Sequence, residues 1–286
     1  MDPVRRVDEQ FLAEFSDVLA WAAQHGITSH TRFHIYKRNI EWLRTLDDED
    51  ERRRVQAQLE SENRLTEMLS TMTESIELVE TIPVLRRLDV VIPKELLKRA
   101  FSGPVDMSRE DHTSNKARNA MFELKVAAMA AQRGIKPILS ETNPDVSFEF
   151  EDRWVKIECK RVLTAERIID RLKEGAKQLE KSVQHTASDI GIVAISLSKL
   201  VNPGNLFLVS SSPQNELFQQ LRDAMKANQE QLAGMYRPWV SGFIFYLSSV
   251  SHVPGRGNAP INSGIVFPLD LSEQEFLRRL ASALYV

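Results

Sequence analysis

A single cysteine, Cys159, in 286 residues leaves no partner for an internal disulfide and no basis for a cysteine-rich zinc site. No apolar run reaches the roughly eighteen uncharged residues that a membrane-spanning helix needs. The opening residues, MDPVRRVDEQ, lack the apolar stretch and small-residue cleavage site of a signal peptide. These three absences set the expectation of a reduced, cytoplasmic protein with no membrane partner. Basic excess is missing too. The formal net charge of −3 argues against a tight, non-specific nucleic-acid binder. It leaves room for a local basic patch, and carboxylates gathered around a metal would themselves lower the charge. Neither GxxxxGK[ST] nor GxGxxG occurs, which removes nucleotide-driven motors and dinucleotide redox enzymes from consideration.

What is present is enough to bury a core: 42% of the residues are hydrophobic and 27% are charged. Residues from about 8 to 100 read as helical. Phe11, Phe15, Val18, Leu19 and Ala22 recur at helical spacing before a stop at His25-Gly26. Leu65, Leu69, Met72, Ile76 and Val79 alternate steps of four and three, the spacing of either a bundle helix or a short dimerisation seam. Pro83, Pro93 and Ser102-Gly103-Pro104 mark a transition, and the expected division is a helical region over 1–104 and a second domain over 105–286.

Past that boundary, helices and strands alternate. The pattern predicts a helix over 114–132, a short strand within 135–139, strands over 145–150 and 154–162, and a helix over 164–185. A buried strand over 190–197, a helix over 215–233, a strand over 240–250, a short strand near 265–267 and a last helix from 272 follow. The fold class expected is α/β, mixed α+β, with a central sheet flanked by helices.

The segment NPDVSFEFEDRWVKIECKRV carries the chemistry. If Glu151-Asp152 form a tight turn, Phe150 pairs with Arg153, and counting outward puts Asp145 opposite Glu158. Period-two alternation sends Val155, Ile157 and Cys159 to one face and Lys156, Glu158 and Lys160 to the other. Two adjacent carboxylates repel unless a cation lies between them, and hard oxygen ligands suit Mg²⁺ or Mn²⁺. A lysine beside them can orient a water molecule or steady developing negative charge.

These residues resemble the PD-(D/E)xK, or restriction-endonuclease-like, nuclease superfamily. Pro144-Asp145 matches the PD element, and Glu158-Cys159-Lys160 matches (D/E)xK on the following strand. Glu123, a carboxylate within the apolar helix AMFELKVAAMAA, fits the glutamate that family members often add from the preceding helix. The resemblance spans residues from about 114 to 197. It implies that Glu123, Asp145, Glu158 and the Cys159 backbone carbonyl hold one or two Mg²⁺ ions, and that Lys160 serves the attacking water. It also implies that Gln178, in the helix after the hairpin, contacts the phosphate or a metal-associated water. The function expected is hydrolysis of phosphodiester bonds, DNA favoured over RNA, in a setting such as restriction or phage defence. The helical region would choose a target, sense a signal or bring two copies together as a homodimer. The rival expectation is an inactive nuclease-fold protein that binds nucleic acid or serves in assembly.

Other residues are weaker candidates. Lys173, Lys177 and Lys181 form a row that reads first as a solvated face and second as a nucleic-acid track. Arg161 could meet a phosphate backbone or simply end a strand. Cys159 reads as a small buried hydrophobe, because no histidine is placed to activate it. Residues 252–260 read as a loop whose Arg256 could touch phosphate.

Overall fold

The computed structural model describes residues 9–27, 30–46, 49–62, 64–111, 115–183, 189–202, 208–209, 211–253 and 257–285. Five helices come first: α1 (Glu9–Gln24), α2 (Arg32–Arg44), α3 (Glu49–Ser61), α4 (Leu65–Arg87) and α5 (Lys94–Phe101). α6 (Lys116–Gln132) leads into β1 (Ile138–Leu139), β2 (Val146–Phe150) and β3 (Arg153–Arg161). Then come α7 (Ile168–Leu179), β4 (Asp189–Ser196), α8 (Ser198–Val201), β5 (Leu208–Val209), α9 (Pro213–Ala227) and α10 (Gln229–Ala233). The chain closes with β6 (Gly242–Val253), β7 (Gly257–Pro268) and α11 (Gln274–Tyr285). The protein is mixed α/β, as the alternation of periods predicts.

The described strands form one seven-stranded sheet. β1, β2 and β3 pair antiparallel in succession, β3, β4 and β6 run parallel, and β7 returns antiparallel along β6. Because β7 covers one whole edge of β6, β4 and the short β5 share the other. Glu151 and Asp152, at φ 50° and 60°, make the two-residue turn between β2 and β3. The hairpin register is therefore the expected one, Phe150 opposite Arg153 and Val146 opposite Ile157.

Helices cover both faces. Val155, Ile157 and Cys159 of β3 join Ile192, Ala194 and Ile244 in a core with α1, α2, α4, α5, α6 and α11. Val193, Ile195, Phe243 and Phe245 pack on the opposite face against α7, α9 and α10. α1, α2, α4 and α5 thus share one apolar core with the sheet. Gly191 of β4 is set by a close approach: a Cβ there would lie 2.0 Å from the Trp239 carbonyl oxygen.

The structure decides three local readings. Pro83, read as part of the transition, lies inside α4, where it removes one backbone donor and packing carries the helix past it. Leu69, Met72 and Ile76 are buried within the chain, so the four-and-three spacing reflects a central bundle helix and not an exposed seam. The long loop expected over 252–260 is mostly strand, since β6 and β7 pair from Gly242↔Pro268 out to Val253↔Gly257. Arg256, and the expected helix ends at 114 and 184–185, lie outside the described residues.

A buried charge cluster ties α2, α4 and α6 together. Glu74 of α4 accepts from Arg32 Nε at 2.8 Å, from Arg118 Nε at 2.8 Å and from Tyr36 Oη at 3.1 Å. Burial opposes its ionisation, yet Arg118 and Arg32 outweigh that cost and hold its carboxyl below the usual range. Removing one member of such a group leaves the others charged and unpaired in the interior. Glu74→Ala is expected to lower stability by roughly 3–5 kcal/mol, read as a shift in the urea midpoint. A loss near zero would mean that water reaches both arginines.

Candidate functional site

The site is made by where β2 begins. β2 pairs with β3 only up to Val146↔Ile157, so among the described residues the edge of β3 opposite β4 has no strand beside it from Glu158 onward. Asp145, the residue before β2, takes that place with its side chain: Cys159 N–H donates to Asp145 Oδ2 at 2.8 Å. A strand residue directs its N–H and C=O to the same edge, so the Cys159 carbonyl lies on this open edge as well.

Glu158 follows from the same register, one step out from Ile157 and facing away from the α6 core. Its side chain is fully buried, and Lys160 Nζ donates to its Oε2 at 3.3 Å. Glu158 Oε1 has no hydrogen-bond donor. Burial and the neighbouring Asp145 carboxylate push its pKa up to about 8, with Lys160 pulling the other way.

Glu123 arrives from α6, a helix buried on nearly all sides. Asn119, one turn earlier, donates to Glu123 Oε1 at 2.9 Å, while Glu123 Oε2 is buried without a hydrogen bond. Arg99 of α5 approaches that oxygen to 3.8 Å, an ion pair too long for a hydrogen bond. Burial, and then repulsion from Asp145, push Glu123 up to about 8 too. Asp145 therefore perturbs both glutamates, which places all three carboxylates in one neighbourhood.

Among the described residues, no three His, Cys, Asp or Glu side chains converge tightly enough to make a ready metal cage. Asp145 is turned onto a backbone N–H and Glu123 onto Asn119. The donor set nevertheless suits a hard cation: two buried carboxylate oxygens lack any donor, and burial resists the negative charge of both groups.

The remaining candidates separate. Gln178 is half-buried beside the Pro-Asp turn: its Nε2 donates to Asn143 Oδ1, and Asn143 Nδ2 donates to the Gln178 carbonyl, both at 3.4 Å. That geometry braces the segment carrying Asp145. Gln178 Oε1 is buried without a partner. Arg161 is not available to a phosphate backbone, because it is buried against Glu110 with Nη1 2.5 Å from Oε1. Lys173, Lys177 and Lys181 are exposed, as a solvated row should be. The Cys159 thiol is buried, and burial pushes its pKa well up, so it is a core atom and no nucleophile.

Sequence reasoning missed Asn119 and Arg99. Asn119 could have been found, since it stands four residues before Glu123 on one helix face. Arg99 could not, because only tertiary packing brings α5 to α6.

The raised pKa values of Glu123 and Glu158 have a signed consequence. In the folded chain both bind protons up to about pH 8, against 4.5 as the usual value, so folding takes up protons across that window. Their contribution to stability is fully present below about pH 4.5 and is lost as pH rises through about 8. In chelator-treated protein, the urea midpoint should therefore fall between about pH 6 and about pH 8.5. Glu158→Gln should flatten that fall, and added Mn²⁺ should offset it most at the alkaline end. Identical pH profiles for wild type and Glu158→Gln would contradict the assignment.

No protein-family model matches this sequence, and no curated protein matches it.

Proposed function

We propose that the chain is a divalent-metal-dependent nuclease of the PD-(D/E)xK kind that hydrolyses phosphodiester bonds, DNA in preference to RNA. One observation carries the reading: at an open strand edge, Asp145 stands beside two buried glutamates raised to about 8, with two carboxylate oxygens unbonded and Lys160 adjacent. Strongly perturbed carboxyls collected at one place are more typical of a working site than of a structural one. The order of elements supports it as well: α6 bearing Glu123, the β2–β3 hairpin bearing Asp145, Glu158 and Lys160, then α7 crossing over to the parallel strand β4.

The residues divide the work by their chemistry. Glu123, Asp145, Glu158 and the Cys159 carbonyl are the groups to hold Mg²⁺ or Mn²⁺. When bound, that ion supplies charge stabilisation at the phosphate and acidifies a nearby water molecule. Lys160, whose ammonium reaches Glu158, orients the water and steadies negative charge on the phosphate oxygens. Cleavage then forms one P–O bond to the water oxygen and breaks the P–O bond to the departing sugar oxygen, which takes up a proton. Gln178 and Asn143 keep the Asp145 turn in place. Restriction or phage defence is the context that suits a compact nuclease with a helical region attached.

The test is cleavage of plasmid, linear duplex and single-stranded DNA with Mg²⁺ or Mn²⁺. Asp145→Ala, Glu158→Ala and Lys160→Ala should each reduce cutting by at least about a hundredfold. Cutting that survives all three would remove the site from consideration. Absence of both cutting and Mn²⁺ binding in calorimetry would favour an inactive module that binds nucleic acid or serves in assembly.

A further inference from the structure

We infer that Arg99, contributed by the helices that precede the sheet domain, is a phosphate-binding residue of this same site. The inference rests on the nuclease reading above and extends it to the substrate contact. Among the described residues, the one ion pair Arg99 makes is with Glu123, Nη2 to Oε2 at 3.8 Å. The Arg99 side chain is 46% exposed, whereas that of Glu123 is 4% exposed. The guanidinium therefore lies between Glu123 and solvent, reaching the one and open to the other.

Neighbouring cations are not equivalent to it. Lys98 on the same helix is held by Glu95 at 2.6 Å, and Arg161 is consumed by Glu110. Lys160 is largely buried and already donates to Glu158. Among the described residues, Arg99 is the guanidinium at the site whose fork is not already spent on hydrogen bonds to the protein.

Its position is also fixed. The opposite face of α5 is buried through Leu96, Leu97, Ala100 and Phe101. The chain just beyond α5 is pinned at three carbonyls within four residues, with Arg32 donating to Ser102, Arg118 to Pro104 and Tyr36 to Val105. All three donors belong to the cluster around Glu74. A guanidinium on a clamped helix loses little further freedom on taking a ligand, and its planar fork matches two oxygens of one phosphate.

The two partners compete for opposite tasks. Without a divalent ion, Arg99 is the cation paired with Glu123, while Lys160 serves Glu158. With Glu123 engaged in holding a divalent ion, the Arg99 guanidinium would be free to take a pair of non-bridging phosphate oxygens of the strand entering the site.

The experiment uses the full chain with Lys160→Ala to suppress cutting while leaving the metal-holding carboxylates in place, a short fluorescein-labelled DNA duplex, and Mn²⁺. Adding Arg99→Ala should weaken duplex binding by about tenfold or more. It should also lower the slope of log K against log salt by about one. Arg99→Lys should restore the salt slope but only part of the affinity. In the otherwise wild-type chain, Arg99→Ala should leave Mn²⁺ binding and the urea midpoint near their original values.

Duplex affinity and salt slope unchanged in Arg99→Ala, with Mn²⁺ binding intact, would overturn the Arg99 assignment alone. Loss of Mn²⁺ binding or of folding in Arg99→Ala would make the residue structural and overturn it too. Failure of the wild-type chain both to bind Mn²⁺ and to cut DNA would remove the nuclease reading, and the Arg99 assignment with it.

Discussion

The hydrogen bond from the Cys159 N–H to the Asp145 carboxylate governs the arrangement of the site. A strand edge left bare inside a protein carries unpaired donors and acceptors, and each must find a partner. β2 begins one residue too late to supply a backbone partner for β3 beyond Ile157, so a side chain does it instead. That substitution draws a carboxylate to the strand edge beside Glu158. It also leaves the Cys159 carbonyl open on the same edge. The hairpin turn at Glu151-Asp152 sets the register that makes all of this happen, because a shift of one residue would send Glu158 and Lys160 into the apolar core facing α6.

Cys159 itself illustrates why the alternation matters. Its side chain belongs to the buried apolar set with Val155 and Ile157, while its backbone belongs to the site. The residue between Glu158 and Lys160 must be small and apolar for packing, and its chemistry as a thiol is irrelevant. The site is thus built from the polar face of one strand, the end of its neighbour, and a glutamate from the helix that covers the other face. An open edge is what lets groups from both sides of a sheet share one neighbourhood.

Much of this was legible in the sequence because period and register are local. The apolar alternation in residues 145–162, the turn residues and the interrupted apolar helix around Glu123 determine the hairpin and the helix independently of the rest. The N-terminal helices were legible as helices, but their relation to the sheet was not. Pro83 read as part of a transition because sequence carries no measure of the burial that keeps α4 intact around it, from Met68 to Leu85. Residues 257–268 looked like loop and a short strand because Gly257, Pro260 and Gly264 weaken the strand pattern. Pairing along all of β6 overrides that local preference. Arg161 was judged from its position near the motif, and its partner Glu110 lies 51 residues away in sequence.

Two of the buried charge groups are balanced differently. Around Glu74, one carboxylate meets two guanidinium groups and a phenol, and both carboxylate oxygens accept hydrogen bonds. Its pKa is depressed, the mark of a group whose charged form is well satisfied. Around Asp145 the balance is reversed: three carboxylates share Lys160 and the distant edge of Arg99, and Glu123 and Glu158 are pushed toward the neutral form. A structural cluster gains nothing from such a deficit, since burying an unmatched carboxylate costs more than replacing it with an apolar residue. The deficit has a use if positive charge arrives from outside, first as a cation among the carboxylates and then in the demand for an anion that the cation and Arg99 together create. The satisfied cluster holds the helices that carry Glu123 and Arg99, and the unsatisfied one is where they meet. In that division of labour, local instability is concentrated at one strand edge and supported by stable packing on every side.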